Sequence, residues 1–298
     1  MTKRGAVGGV SAVSPVESIV RPKYFSQSRR NIDLQSGALG FSAAYPFASP
    51  KLLFDSGQAG VWYDFSDPFT LFQDAAGTIP VEVVGDPVGR VVDKSGNGND
   101  LVQETDAARP VWSFDPLYNA YGILCDGVDD SLASTDVVQG FTGSPSVSVL
   151  VGARKQQNQF QRRFVQFGGS RGFELWGSAS AASQSIDGYT VNVNGSGLNF
   201  LISFNTAFNP YYGPGHCAVF AHELSMIGAG SVFRDQGKEL FRQEGFVQTF
   251  AQTFLDNSIS VSPPRGFLFQ VVVTPGTLTP QQIDNTSRWI SRKMNLVR

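Results

Sequence analysis

Cysteine and histidine are nearly missing from this chain: Cys125, Cys217, His216 and His222 are the full set. No CxxC pair occurs and no histidine stands at metal-ligand spacing from either cysteine, which excludes a disulfide framework. Two reduced thiols are expected, because an unpaired cysteine usually behaves as a small buried hydrophobe. His222-Glu223 opens like the zinc-protease sequence His-Glu-x-x-His, but Met226 stands where the second histidine belongs. A catalytic triad would need His216 or His222, and both sit at the ends of the apolar stretch from His216 to Ala221, where a structural role is expected. No Gly-x-Ser-x-Gly elbow and no Walker loop occurs, so no catalytic residue is assigned.

Long hydrophobic runs are absent too. No window of about 18 apolar residues suggests a membrane span, and no apolar core of about 7–15 residues suggests a signal peptide. A product made in the cytoplasm, without membrane insertion, is expected. A net charge of −2, with 16% charged residues, gives no field strong enough to imply nucleic-acid binding. The charge is nevertheless uneven. Residues 1 to 30 hold Lys3, Arg4, Arg21, Lys23, Arg29 and Arg30 against the single acid Glu17. That arm reads as a solvated extension, or as a basic segment that docks on an acidic protein surface.

Methionine is scarce at 3, whereas Phe reaches 24, Gly 32 and Pro 16 in a chain of 298 residues. Aromatic and branched residues fill sheet faces while Gly and Pro supply turns, so the balance favours β structure. The length fits one large all-β domain with an appendage. Residues 1–51 read as an extended arm: Gly5 to Pro15 is small and flexible, and Ala44-Tyr45-Pro46-Phe47-Ala48-Ser49-Pro50 is an extended linker. Such an arm forms no core alone and needs a partner or the body to order it. Residues 52–298 form the body. No repeat of about 20–50 residues appears, which excludes a propeller or solenoid.

Strand candidates begin at Val61-Trp62-Tyr63-Asp64 and continue through 70–73, 80–84, 89–93, 111–114 and 122–125. Ser146 to Val151 alternates, placing Val147, Val149 and Val151 on one face and Ser146, Ser148 and Leu150 on the other. Later candidates are 163–167, 172–176, 189–193, 199–204, 216–221 and 266–273. One helix is signalled after Thr279-Pro280-Gln281-Gln282, a capping hydroxyl followed by Pro at the first helical position. Ile283, Thr286, Ser287, Ile290 and Met294 share one of its faces, and Arg288, Arg292 and Lys293 suit its negative pole.

The strongest local signal is Asp93-Lys94-Ser95-Gly96-Asn97-Gly98-Asn99-Asp100, where residues that tolerate positive φ force a tight turn. Around it stand Trp62-Tyr63-Asp64, Leu71-Phe72-Gln73-Asp74-Ala75-Ala76-Gly77-Thr78, Gly85-Asp86-Pro87-Val88-Gly89, Ala107-Ala108-Arg109-Pro110 and Asp126-Gly127-Val128-Asp129-Asp130-Ser131-Leu132. From about residue 60 to 132 this order resembles the laminin-G/concanavalin-A-like domain of tailed-bacteriophage virion proteins. The resemblance implies an all-β fold, a two-sheet antiparallel jelly-roll sandwich with an extended N-terminal arm and a short C-terminal helix. It also implies a virion structural protein: a tail-fibre or receptor-binding appendage, or alternatively a capsid decoration or head-fibre protein. Other virion proteins would be met through Arg4, Arg21, Lys23, Arg29 and Arg30 of the arm. A homo-oligomer such as a trimer is in keeping with fibres, although no heptad stalk is present to enforce it.

Domains of the resembling kind often hold calcium, and Asp93, Asn97, Asn99, Asp126 and Asp129 supply hard oxygen ligands in two turn-rich loops. The competing reading is plain Asx turns, with side chains bonded to backbone amides. No other cofactor is expected. A glycan depolymerase would need two carboxylates at catalytic separation. Glu174 stands alone, however, and the neighbours Asp129 and Asp130 would point to opposite faces of a strand. A sugar-binding site needs an aromatic face with amides, which Asn192, Asn194, Asn199, Tyr211 and Tyr212 offer, so a host surface glycan or receptor is a candidate partner.

Overall fold

Strands form where branched and aromatic residues alternate, and Gly, Asn, Asp and Pro interrupt them. The computed structural model describes residues 49–156 and 253–296, together with 162–168, 172–176, 189–193, 198–201, 217–225, 231–235 and 238–243. In chain order the strands are β1 (Val61–Asp64), β2 (Leu71–Phe72), β3 (Arg90–Val91), β4 (Leu101–Val102), β5 (Val111–Asp115), β6 (Ala120–Cys125), β7 (Leu132–Ser134) and β8 (Ser146–Lys155). They continue as β9 (Arg163–Phe167), β10 (Phe173–Trp176), β11 (Tyr189–Val193), β12 (Leu198–Leu201), β13 (Cys217–Ser225), β14 (Ser231–Asp235), β15 (Lys238–Gln243), β16 (Ile259–Ser262) and β17 (Gly266–Pro275). One α-helix follows, α1 (Pro280–Lys293).

The strands make two antiparallel sheets, as the jelly-roll expectation required. The first runs β15-β14-β13-β8-β17-β6-β5, with β1 also paired to β17. Both β6 and β1 use the same side of β17: β6 pairs with its residues 266–268 and β1 with residues 270–273. The second sheet runs β12-β11-β10-β9-β16-β7-β4-β3-β2. Between them lies the main core, where Val147, Val149, Val151, Val271 and Val273 of the first sheet meet Phe164, Phe167, Phe173, Ile259 and Val261 of the second.

Within the first sheet, β8 and β17 are buried on both faces. Leu150, Phe267, Phe269 and Val272 turn away from the main core and pack under α1 with Ile283, Ile290 and Met294. Thr279 caps this helix as the sequence predicts, its Oγ accepting from the Gln282 amide at 3.2 Å while the Gln282 side chain accepts from the Thr279 amide at 2.8 Å. Gly152 makes the close fit possible. A Cβ there would lie 2.6 Å from Ile290 Cγ2 and 2.6 Å from Met294 Sδ. A short 3-10 turn, Pro50–Leu53, capped by Ser49, adds Leu53 to the same layer. The domain boundary expected between residues 51 and 52 falls inside this turn.

Several expectations need correction. Residues 80–84 are not a strand. Pro80 makes one isolated bridge to Phe72 and Pro87 one to Val111, so residues 80 to 88 cross from the border of the second sheet to that of the first. Two prolines without N–H groups cannot hold a ladder, and Asp86 Oδ2 bends the chain by accepting from the amides of Glu82 at 2.8 Å and Val83 at 2.9 Å. The strand expected at 216–221 is β13 and runs on to Ser225, so His222 lies in its interior rather than at its end. β4, β7, β14, β15 and β16 were not foreseen: β4 and β7 span only two and three residues, charged residues interrupt β14 and β15, and the Ile-Ser-Val-Ser alternation of β16 was passed over.

Candidate functional site

The Asp93 to Asp100 loop is a clamp. Asp93 Oδ1 accepts from the amides of Trp62 at 3.0 Å and Ser95 at 2.9 Å, and Oδ2 accepts from Ser95 Oγ at 2.8 Å and the Asn99 amide at 3.1 Å. Asn97 Nδ2 donates to the carbonyls of Gln58 at 3.0 Å and Gly60 at 2.9 Å. Gly96 and Gly98 supply the positive φ values of 91° and 77° that the turns require. Asp93 is thus surrounded by donors, an arrangement that does not fit a cation. Asp126, Asp129 and Asp130 do converge, with one carboxylate oxygen of each lying within 4.8 Å of the others. Asp129 and Asp130 lie in a bend rather than on a strand, which is why they meet instead of facing opposite ways. Burial holds Asp130 protonated up to a pKa of about 6. Three carboxylates supply only part of the six to eight oxygens that calcium takes.

The clamp also delivers Lys94 to a buried polar centre that sequence reasoning missed. On β1, Trp62 and Asp64 face α1 while Tyr63 points into the main core and donates to the Asn99 carbonyl at 2.6 Å. Lys94 Nζ lies 3.2 Å from Asp64 Oδ2 and 2.8 Å from Asp67 Oδ2, and 4.7 Å from the centre of the Trp62 ring. Gln270 donates to Asp64 Oδ1 and accepts from Trp62 Nε1 at 3.0 Å. Burial pushes the Asp64 carboxyl up, but Lys293, Lys94 and the Ser66 hydroxyl together outweigh it and hold the carboxyl below its ordinary value of 3.8. Burial likewise pulls Lys94 down, and Asp64 and Asp67 reverse it, leaving the ammonium above its ordinary 10.5. All of these charges are matched internally, so the centre joins loop, strand and helix.

The outward face of the second sheet is different. Register partners form one line across it: Glu174 on β10, Gln166 on β9, Ser260 on β16, Ala133 on β7, Val102 on β4, Arg90 on β3 and Phe72 on β2. Their neighbours Phe173, Leu175, Phe167, Ile259, Leu132, Leu101, Val91 and Leu71 are the buried inward set. Glu174 is held by Gln166 Nε2 at 2.9 Å and Arg163 Nε at 3.1 Å. Arg90 donates to Asp100 Oδ2 from Nε at 3.0 Å and from Nη2 at 2.7 Å.

This face gathers part of the expected sugar site. Thr190 is the register partner of Glu174, so Asn192, two residues on, occupies the same face, and its partner on β12 is Asn199. Asn194, Tyr211 and Tyr212 lie outside the described residues, as do Arg4, Arg21, Lys23, Arg29 and Arg30 of the arm. Sequence reasoning passed over Arg163, Gln166, Ser260, Ala133 and Arg90. The pattern Phe173-Glu174-Leu175, a charge between two apolar neighbours, marked an outward position, but register across nine strands is not written in any local segment.

No protein-family model matches the chain, and no curated protein matches it. Among solved structures it is similar to the binding domain of botulinum neurotoxin DC, in complex with rat synaptotagmin II. The identity is 12%, with 67% of this chain and 49% of that one covered and a TM-score of 0.44. The serotype D binding domain in complex with N-acetylneuraminic acid gives 10%, 80%, 52% and 0.48 for the same quantities. Domain 4 of a GH43 extracellular arabinanase from Geobacillus stearothermophilus, in complex with arabinotriose, gives 15%, 77%, 100% and 0.41. The chain thus spans about half the length of the neurotoxin domains.

Proposed function

We propose that the chain is a non-enzymatic virion protein of a tailed bacteriophage, a tail-fibre or receptor-binding appendage. It attaches through the basic N-terminal arm and presents a lectin-like sandwich to the host. The observation that carries this reading is the contrast between the two outer faces. α1 covers the first sheet over β8 and β17, whereas the second, among the described residues, presents an in-register line that is polar or small from Glu174 to Ala133, with no helix over it. A rigid sheet that keeps one broad face clear suits recognition.

Hydrolysis is disfavoured on this face. Glu174 and Asp100, the carboxylates of its two ion pairs, stand four strand steps apart, about 19 Å, whereas a glycosidase pair needs about 5–9.5 Å. The attachment reading is tested with two full-length proteins, one natural and one carrying glutamate at positions 4, 21, 23, 29 and 30. Each is offered to host cells and to particles lacking this protein. We expect both to bind cells and only the natural chain to join particles. Particle joining without any binding to cells would make the protein a capsid decoration instead, and glycan cleavage by the purified protein would make it a depolymerase.

A further inference from the structure

We infer that the outward face of the second sheet takes an uncharged, extended carbohydrate chain that lies across the strands, over Ala133 and Ser260. This deepens the attachment reading above and rests on it. Three observations support it.

The first is charge. Two ion pairs stand on the face, Glu174 with Arg163 and Arg90 with Asp100. A strongly charged polymer would have to compete with these pairs, whereas hydroxyl groups, which both donate and accept, can add to them without displacing either partner. The second is shape. Ala133 is exposed and is the smallest side chain of the line, with Ser260 and Val102 beside it, while Gln166, Glu174 and Arg163 stand at one end and Arg90 and Phe72 at the other. From Gln166 to Arg90 the line crosses four strand steps, about 19 Å, which suits several linked sugar units rather than one. The third is direction. Because the residues are register partners, the low line runs perpendicular to the strands, and the paired register positions Asn192 and Asn199 continue the same face.

The test is affinity electrophoresis of the full-length protein in gels containing neutral polymers (dextran, galactomannan, arabinan) or anionic ones (alginate, hyaluronan). Each is run at about 0.05 M and about 0.5 M NaCl, conditions that differ several-fold in screening length. We expect retardation by a neutral polymer that is equal at both salt levels. Ala133→Arg, with a melting curve like that of the natural protein, weakens it roughly tenfold, Gln166→Ala weakens it less, and Leu117→Arg, in the β5–β6 hairpin of the other sheet, leaves it unchanged. Neutral binding that survives both Ala133→Arg and Gln166→Ala overturns the location. Binding confined to anionic polymers, with steep salt dependence, overturns the ligand class. Host-cell binding without retardation by any polymer also overturns it. In each of these three cases the attachment reading stands, whereas a protein that binds neither polymers nor host cells loses both.

Discussion

Lys293 Nζ, in the last turn of α1, lies 3.5 Å from Oδ2 of Asp64, a carboxylate with no solvent exposure. Lys94 approaches the same oxygen at 3.2 Å and is the less exposed of the two, at 17% against 39%. Removing one partner of a buried pair costs more than removing a rim charge. We expect Lys94→Ala to lower unfolding free energy by about 2 kcal/mol and Lys293→Ala by about 1 kcal/mol. Urea denaturation measures both, and a larger loss at Lys293 would contradict the assigned order.

The same centre sets a pH response. Asp64 titrates below 3.8 in the folded chain, so its ionic contribution is complete above 3.8 and is lost as pH falls through the lower folded value. Lys94 titrates above 10.5, so its contribution is complete below 10.5 and is lost as pH rises through the higher folded value. Asp64→Asn should therefore destabilise at neutral pH and converge with the natural protein under strong acid. A constant difference between the two stability curves down to that range would refute the linkage.

Two glycines should respond differently to alanine. At Gly122 a Cβ would meet the Leu268 carbonyl oxygen at 2.7 Å, which is backbone of the paired strand, whereas at Gly152 it meets side chains, the Cγ2 methyl of Ile290 and the sulfur of Met294. Backbone cannot give way as a methionine can. We expect a loss of about 3 kcal/mol for Gly122→Ala and about 1 kcal/mol for Gly152→Ala. In a double-mutant cycle Met294→Ala, which removes the sulfur at 2.6 Å, should recover part of the second loss and none of the first, as read from thermal melting.

The clamp reading of Asp93 separates from a calcium reading by one comparison. Asp93→Ala leaves the amides of Trp62, Ser95 and Asn99 without their acceptor, at a cost of about 3 kcal/mol. The loss should be the same with added calcium and with a chelator. Dependence on the chelator would restore Asp93 as a ligand.

Much of the frame was legible locally. The alternation at Val147, Val149 and Val151, the glycines at 96 and 98, and the capping box at Thr279 and Gln282 each act within a few residues, and each appears where the sequence puts it. Residues 80–84 misled because branched residues signal a strand, while the deciding influences were Pro80, Pro87 and the Asp86 turn. The Lys94–Asp64–Lys293 centre and the line from Glu174 to Arg90 were not legible, because their members come from segments joined only by tertiary packing. Trp62-Tyr63-Asp64 and the Asp93 loop were both conspicuous in the sequence, yet nothing local said that one holds the other.

The crossing segment between Pro80 and Pro87 carries a consequence for crowding. A sandwich held close to copies of itself is at risk of polymerising by strand addition, each copy extending the hydrogen-bond ladder of the next. Here β2 and β5, the terminal strands on one side of the two sheets, are both met by a stretch that lacks donors at Pro80 and Pro87 and bends away between them. That flank offers a neighbouring copy no continuous ladder to join, so copies crowded side by side do not fuse into a fibril through it.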